Sequence, residues 1–142
     1  SDCKHKIIFQ HIPLFVDRPD EAAHVYFNIE PGERLRLMNK FIEAGVSTVF
    51  CGHYHQNAGG FYQQLECVVT SAVGAQLGSD GHGYRLVRVS EEKVEHNKNV
   101  MVNFQDNLLL SPLRPDEHLS GKIVAIGAAI HKSISYDQLG AR

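Results

Sequence analysis

Among the nine histidines of this 142-residue chain, three stand where their imidazoles could act together. His53 and His55 are one residue apart in Gly52-His53-Tyr54-His55, and His11 lies upstream in Gln10-His11-Ile12-Pro13. In a regular strand an i, i+2 pair points to one face, whereas in a turn the two rings can splay toward neighbouring ions. Imidazole serves zinc, iron, manganese and nickel alike, so histidines by themselves leave the metal open. Two such ions about 3.5–4 Å apart clamp a phosphoryl group and activate water near neutral pH. The competing reading makes each histidine an ordinary hydrogen-bonded residue. On spacing alone that is the commoner outcome, and His5, His24, His96, His118 and His131 are assigned to it. His82, between Gly81 and Gly83, fits either a turn or the close approach of a ligand.

The elements that must carry these residues are legible around them. Lys6 to Phe9 is a short apolar run that ends before Pro13, which places His11 at the C-terminal edge of a strand. Residues 14–31 mix charges, prolines and the aromatics Phe15, Tyr26 and Phe27 without a period, and are expected to form a loop lying over a site. Pro31 suits a first helical turn. Leu35, Met38 and Ile42, widened by Leu37 and Phe41, form the apolar stripe of a helix that Gly45 closes. Val46 to Phe50 is then a β-branched strand running into Cys51 and Gly52.

Asn57-Ala58-Gly59-Gly60 is expected to be a turn, and Phe61-Tyr62, Cys67 to Thr70 and Tyr84 to Val89 further strands. The order implies one parallel βαβ step feeding an antiparallel set, an α/β sandwich. Ligands of open α/β sheets bind at strand C-terminal ends, so His11 and the His53-Tyr54-His55 segment converge if their strands are neighbours. Residues 78–83 lack the lysine and hydroxyl of a phosphate-cradling loop and read as a turn. Beyond His96 the apolar pieces are short and broken by Pro112 and Pro115, and residues 97–142 are left as a tail of unassigned structure.

Bulk properties narrow the partners. The formal charge is −2, from 14 Lys and Arg against 16 Asp and Glu, which supplies no basic field for nucleic acid or anionic lipid. No apolar run approaches the roughly 20 residues a membrane span needs. Neither a nucleic-acid nor a membrane partner is expected. Three cysteines, an odd set without close pairing, fit a reducing, cytoplasmic compartment. Cys51, in a buried strand with no adjacent base, reads as core rather than nucleophile.

With these segments in view, the sequence resembles the calcineurin-like metallophosphoesterase family. The resemblance is carried by His11-Ile12-Pro13-Leu14-Phe15, Ala44-Gly45-Val46, Val49-Phe50-Cys51-Gly52-His53-Tyr54-His55, Asn57-Ala58-Gly59-Gly60 and Val68 through Gly74. It covers residues 6–96 and points to cytosolic serine/threonine phosphatases of that family. It implies an α/β fold, a metallophosphoesterase β-sandwich flanked by helices, of which residues 1–96 would be the C-terminal half. It also implies two divalent ions, manganese, iron or zinc, with His11 and His53 on the second and His55 on the first. The family's DxH, GDxxD and GNH motifs, which bring the bridging aspartate, the asparagine ligand and the catalytic histidine, have no counterpart here.

The expected function is phosphomonoester hydrolysis on phosphorylated protein or a small phosphoester, exercised within a complete domain. The chain opens at Ser1 without an initiator methionine, as a fragment would. A complementing N-terminal half is accordingly expected, with the isolated chain weak or inactive. Two alternatives stand beside this reading. One is a phosphodiesterase or nucleotide pyrophosphatase on the same two-metal framework, with loop aromatics stacking a base. The other is a non-catalytic fragment that binds a partner or a single metal.

Overall fold

In a computed structural model of the chain, the residues described are 3–80, 83–96 and 122–126. They form strands β1 (Lys6–Gln10), β2 (Val46–Cys51), β3 (Ala58–Tyr62), β4 (Leu65–Val69), β5 (Arg85–Val89), β6 (Val94–His96) and β7 (Lys122–Ile126), with one helix, α1 (Pro31–Glu43). The first sheet has the order β1-β2-β4-β3, and the second the order β6-β5-β7. The expected α/β class and its opening βαβ step are both present, since β1 pairs with β2 in parallel across α1.

Alternation along the central strands separates two cores. Val49 and Cys51 of β2, with Leu65, Cys67 and Val69 of β4, pack with Met38 of α1 and with Leu14 and Phe15. The opposite parity, Phe50 and Val68, meets Val87 of the second sheet. The molecule is therefore layered, with α1 and the segment after β1 on one face of the first sheet and the second sheet on the other. A buried polar network joins the sheets. Arg85 donates to Thr70 Oγ1 at 3.2 Å, to Asn57 Oδ1 at 2.9 Å and to His96 Nδ1 at 3.2 Å, and His96 Nε2 meets Glu66 at 3.0 Å. Burial pushes the Arg85 guanidinium below its ordinary value, opposed by the nearby Glu66 carboxylate. His96 is thus a structural histidine, as its isolated position suggested.

Three expectations are corrected. Ala58-Gly59-Gly60 is not a turn but the first part of β3, paired antiparallel with β4. Glycine is needed there because a Cβ on Gly59, whose φ is 115°, would sit 2.1 Å from the Cys67 carbonyl oxygen. The strands after β2 are also not simply an antiparallel run. The chain passes to β3 at the sheet edge and returns through Gln63, with φ 52°, so that β4 inserts beside β2 in parallel. The third correction concerns α1. Its buried positions are Arg34 and Met38, whereas Leu35 is 47% exposed. A hydropathy pattern cannot register a buried arginine, because the charge is satisfied by groups distant in sequence.

Helix α1 begins as its sequence dictates. Glu30 accepts from the Gly32 and Glu33 amides, Pro31 occupies the first turn, and Gly45 follows the end with φ 75°. From the tail, residues 122–126 add β7 beside β5, and the rest of 97–142 lies outside the described residues, as do His82, His118 and His131.

Substituting Gly59→Ala should destabilise the chain by about 2 kcal/mol or more, combining a left-handed φ with a backbone overlap. Urea unfolding monitored by circular dichroism would measure this, and a midpoint equal to wild type would contradict the β3 geometry.

Candidate metal-binding site

The parallel pairing of β1 with β2 places both strand C-termini on one edge, and the ladder continues past them through the Gly52 amide, which donates to the His11 carbonyl at 3.2 Å. His11 and His53 follow immediately. His53 and His55 both adopt left-handed backbone conformations, with φ 65° and 58°. Histidine tolerates this region better than most residues, yet paired outliers mark a segment whose surroundings impose its shape. Tyr54 between them packs against the α1-side core, beside Phe27 at 5.2 Å between ring centroids. The tetrapeptide is therefore a turn that anchors its tyrosine and turns its histidines elsewhere.

Nδ1 of His53 lies 3.0 Å from Nε2 of His11, with the rings edge to face at 4.7 Å. On its other side, Nε2 of His53 meets the Tyr26 carbonyl at 2.7 Å. A carbonyl only accepts, so His53 Nε2 carries the hydrogen, and a neutral ring then presents its Nδ1 lone pair to His11. His55 is arranged in the same way with the nitrogens exchanged. Its Nδ1 donates to the Ala75 carbonyl at 2.6 Å, which leaves the lone pair on Nε2 in the neutral ring. The His55 carbonyl accepts from Ser71 Oγ at 3.2 Å and from the Leu77 amide at 2.9 Å. Fixing one imidazole nitrogen on a backbone carbonyl is the way proteins orient histidines that ligate metals.

Of the three histidines, His11 and His53 have the spacing that two ligands of one ion would need. With metal–nitrogen bonds of about 2.1 Å, two imidazole nitrogens on one ion at near-right angles are roughly 3 Å apart, close to the His11–His53 spacing. His11 and His53 are thus brought together, while His55 rests on its own carbonyl partner. Among the described residues no group of three or more His, Cys, Asp or Glu is gathered closely enough to hold an ion.

Sequence reasoning missed the framework that holds Tyr26 beside His53. The Glu21 carboxylate accepts from the amides of Val16 (2.9 Å), Asp17 (2.8 Å) and Arg18 (2.9 Å), and from the Asn28 side chain. Arg34, fully buried, donates to the carbonyls of Ile29, Pro19 and Glu21 at 2.8–3.1 Å. A glutamate within a charged, proline-containing stretch carries no local signature of this role. Its only sequence trace is a helix with arginine where the apolar stripe continues. Cys51 behaves as core: hydrogen bonding to Cys67, reinforced by burial, holds its thiol far above the ordinary cysteine range.

The mixed α/β fold agrees with that of a partial metallophosphoesterase, and comparison with known proteins bears out the resemblance to the calcineurin-like phosphoesterases. Over 94 residues the chain is 57% identical to the serine/threonine-protein phosphatase CPPED1 of Pongo abelii and 56% identical to that of Homo sapiens. Over 93 residues it is 53% identical to CPPED1 of Danio rerio. Each match covers 66% of this chain, which spans about 30% of the length of these curated relatives. No family profile and no solved structure matches.

Burial works against the Glu21 carboxylate, but its hydrogen bonds from Arg18, Val16, Asn28 and Asp17 prevail and hold it below the usual 4.5. A depressed carboxylate contributes stability above its unfolded pKa and loses it as pH falls through the folded value. The amide resonances of Val16, Asp17 and Arg18 should therefore keep their folded positions through the ordinary glutamate range and shift only below it. Shifts that track a normal glutamate would contradict the assignment.

Proposed function

We propose that this chain supplies histidine ligands to the metal centre of a phosphoesterase that hydrolyses phosphomonoesters, with phosphorylated protein as the substrate class. The observation that carries this reading is the pairing of His53 Nδ1 with His11 Nε2 at 3.0 Å, backed by the Tyr26 carbonyl on the far nitrogen. The similarity to proteins named serine/threonine-protein phosphatase supports the same reaction class.

Divalent ions at such a centre, manganese, iron or zinc, supply charge to the phosphoryl oxygens and activate water for in-line attack. This chain's own contribution is positional. The β1–β2 ladder sets the His11–His53 distance, the Tyr26 carbonyl fixes the proton of His53 on Nε2, and the Ala75 carbonyl fixes that of His55 on Nδ1. In this reading His11 and His53 share one ion, and His55 turns its Nε2 toward the other. The carboxylate that must neutralise two dications comes from outside the described residues, so a complementing N-terminal half is part of the proposal. A cytoplasmic setting, with no nucleic-acid or membrane partner, agrees with the net charge and the free thiols of Cys3, Cys51 and Cys67.

A second reading, cleavage of a nucleotide phosphodiester or pyrophosphate, is favoured by one feature. Tyr26 is 63% exposed and its ring lies 4.6 Å from the His53 ring, where a base could stack. Hydrolysis of a phosphopeptide against a dinucleotide by this chain joined to a complementing N-terminal half separates the two.

Calorimetric titration of the 142-residue chain with manganese and with zinc tests the metal reading directly. Wild type should bind, and His53→Ala and His11→Ala should each weaken binding by about tenfold or more. Equal affinity in wild type and both variants would remove these histidines from the centre.

A further inference from the structure

Residues 14–28 form a loop closed at its base, where the Ile29 amide donates to the Pro13 carbonyl at 3.0 Å. Leu14 and Phe15 enter the core, and the rest of the loop is wired by polar side chains. Arg34, on α1, reaches the Pro19, Glu21 and Ile29 carbonyls. Glu21 in turn gathers the Val16, Asp17 and Arg18 amides and the Asn28 amide group. Asn28 donates to the Ala22 carbonyl at 3.1 Å and accepts from the His24 amide at 2.7 Å. His24 opens the tight turn closed by the Phe27 amide at 3.1 Å, and within that turn stands Tyr26, whose carbonyl meets His53. Hydrogen bonds, joined through the loop's own covalent chain, thus lead from a buried helix arginine to the ring of a candidate ligand.

This arrangement has an energetic signature. Burying a guanidinium without an apolar substitute is costly unless each donor is satisfied, and here backbone carbonyls satisfy it. An apolar side chain at position 34 would fill the same space in the core but would leave those carbonyls without donors. What the arginine adds is a defined path for the loop backbone, and that path brings the Tyr26 carbonyl to His53.

We propose that Glu21, Asn28 and Arg34 are positioning residues that set the ring tautomer of His53 by holding the Tyr26 carbonyl against its Nε2. The functional weight of this device rests on the phosphoesterase reading above, since a tautomer fixed on Nε2 is what frees Nδ1 to ligate. His55 provides an internal reference, because its Nδ1 is held by Ala75, outside the loop.

The test is the ring ¹⁵N spectrum of the full 142-residue chain, metal-free, at a pH above the imidazole range. It compares wild type with Glu21→Ala, Asn28→Ala and Arg34→Met. In wild type His53 should show a protonated Nε2 and a bare Nδ1, with the reverse in His55. In the variants His53 should move toward a mixture of both tautomers while His55 stays unchanged. Asn28 and Glu21 lie outside α1 and both sheets, so their alanine variants remain informative if Arg34→Met does not fold. A His53 that keeps its wild-type tautomer in folded variants overturns the proposal. So does loss of the His53 and His55 signatures together in every variant, which would assign the network to general folding. A parallel zinc titration should show Asn28→Ala and Glu21→Ala binding about 10–100-fold more weakly than wild type, the range expected when the partner of a ligating histidine is lost. If wild type binds no metal while the tautomer effect is present, the metal reading fails and the positioning of His53 stands.

Discussion

The parallel pairing of β1 with β2 is the constraint on which the rest of the structure depends. Parallel neighbours end at the same edge of a sheet, so the segments that follow them emerge side by side although they are far apart in sequence. Register makes this specific: Gln10 pairs with Cys51, and the next residues on each strand join through the His11 carbonyl and the Gly52 amide. Helix α1 makes the crossover between the two strands, and Met38 holds it to the core on that face. Without that register the two imidazoles would have no reason to meet.

A second level of organisation comes from charged groups satisfied by backbone. Glu21 acts as an acceptor for the successive amides of Val16, Asp17 and Arg18 and Arg34 as a donor to the carbonyls of Pro19, Glu21 and Ile29, so a segment without regular structure acquires the definition that a ladder gives a strand. With Leu14 and Phe15 as its apolar anchor, the loop can leave its tip exposed, as Val25 and Tyr26 are. The Arg85 network does comparable work between the sheets, where Glu66, His96, Thr70 and Asn57 share one buried cation. In both places polar groups define a unique arrangement while apolar contacts such as Val49, Phe50 and Val69 supply most of the burial.

Much of this was legible in the order of residues. The apolar runs before His11 and Gly52, the proline and glycine that bound α1, and the spacing of the histidines located the strand ends without reference to a structure. What could not be read was set by contacts between distant positions. Ala58-Gly59-Gly60 has the composition of a turn, yet its glycines serve a strand because the Cys67 backbone passes too close for any side chain. Leu35 looked like the start of an apolar stripe, but the stripe runs through Arg34, whose partners are loop carbonyls beyond the reach of any helical periodicity.

The sequence by itself determined which residues could do chemistry and which elements would carry them, because helix and strand periods and capping residues are local properties. Only the tertiary structure decided that His53 faces His11 while His55 turns to Ala75, and that Glu21 and Arg34 shape the loop beside them. Those outcomes depend on which backbone carbonyls and amides lie within hydrogen-bonding distance. That distance is fixed by sheet register and loop closure, which no single segment encodes.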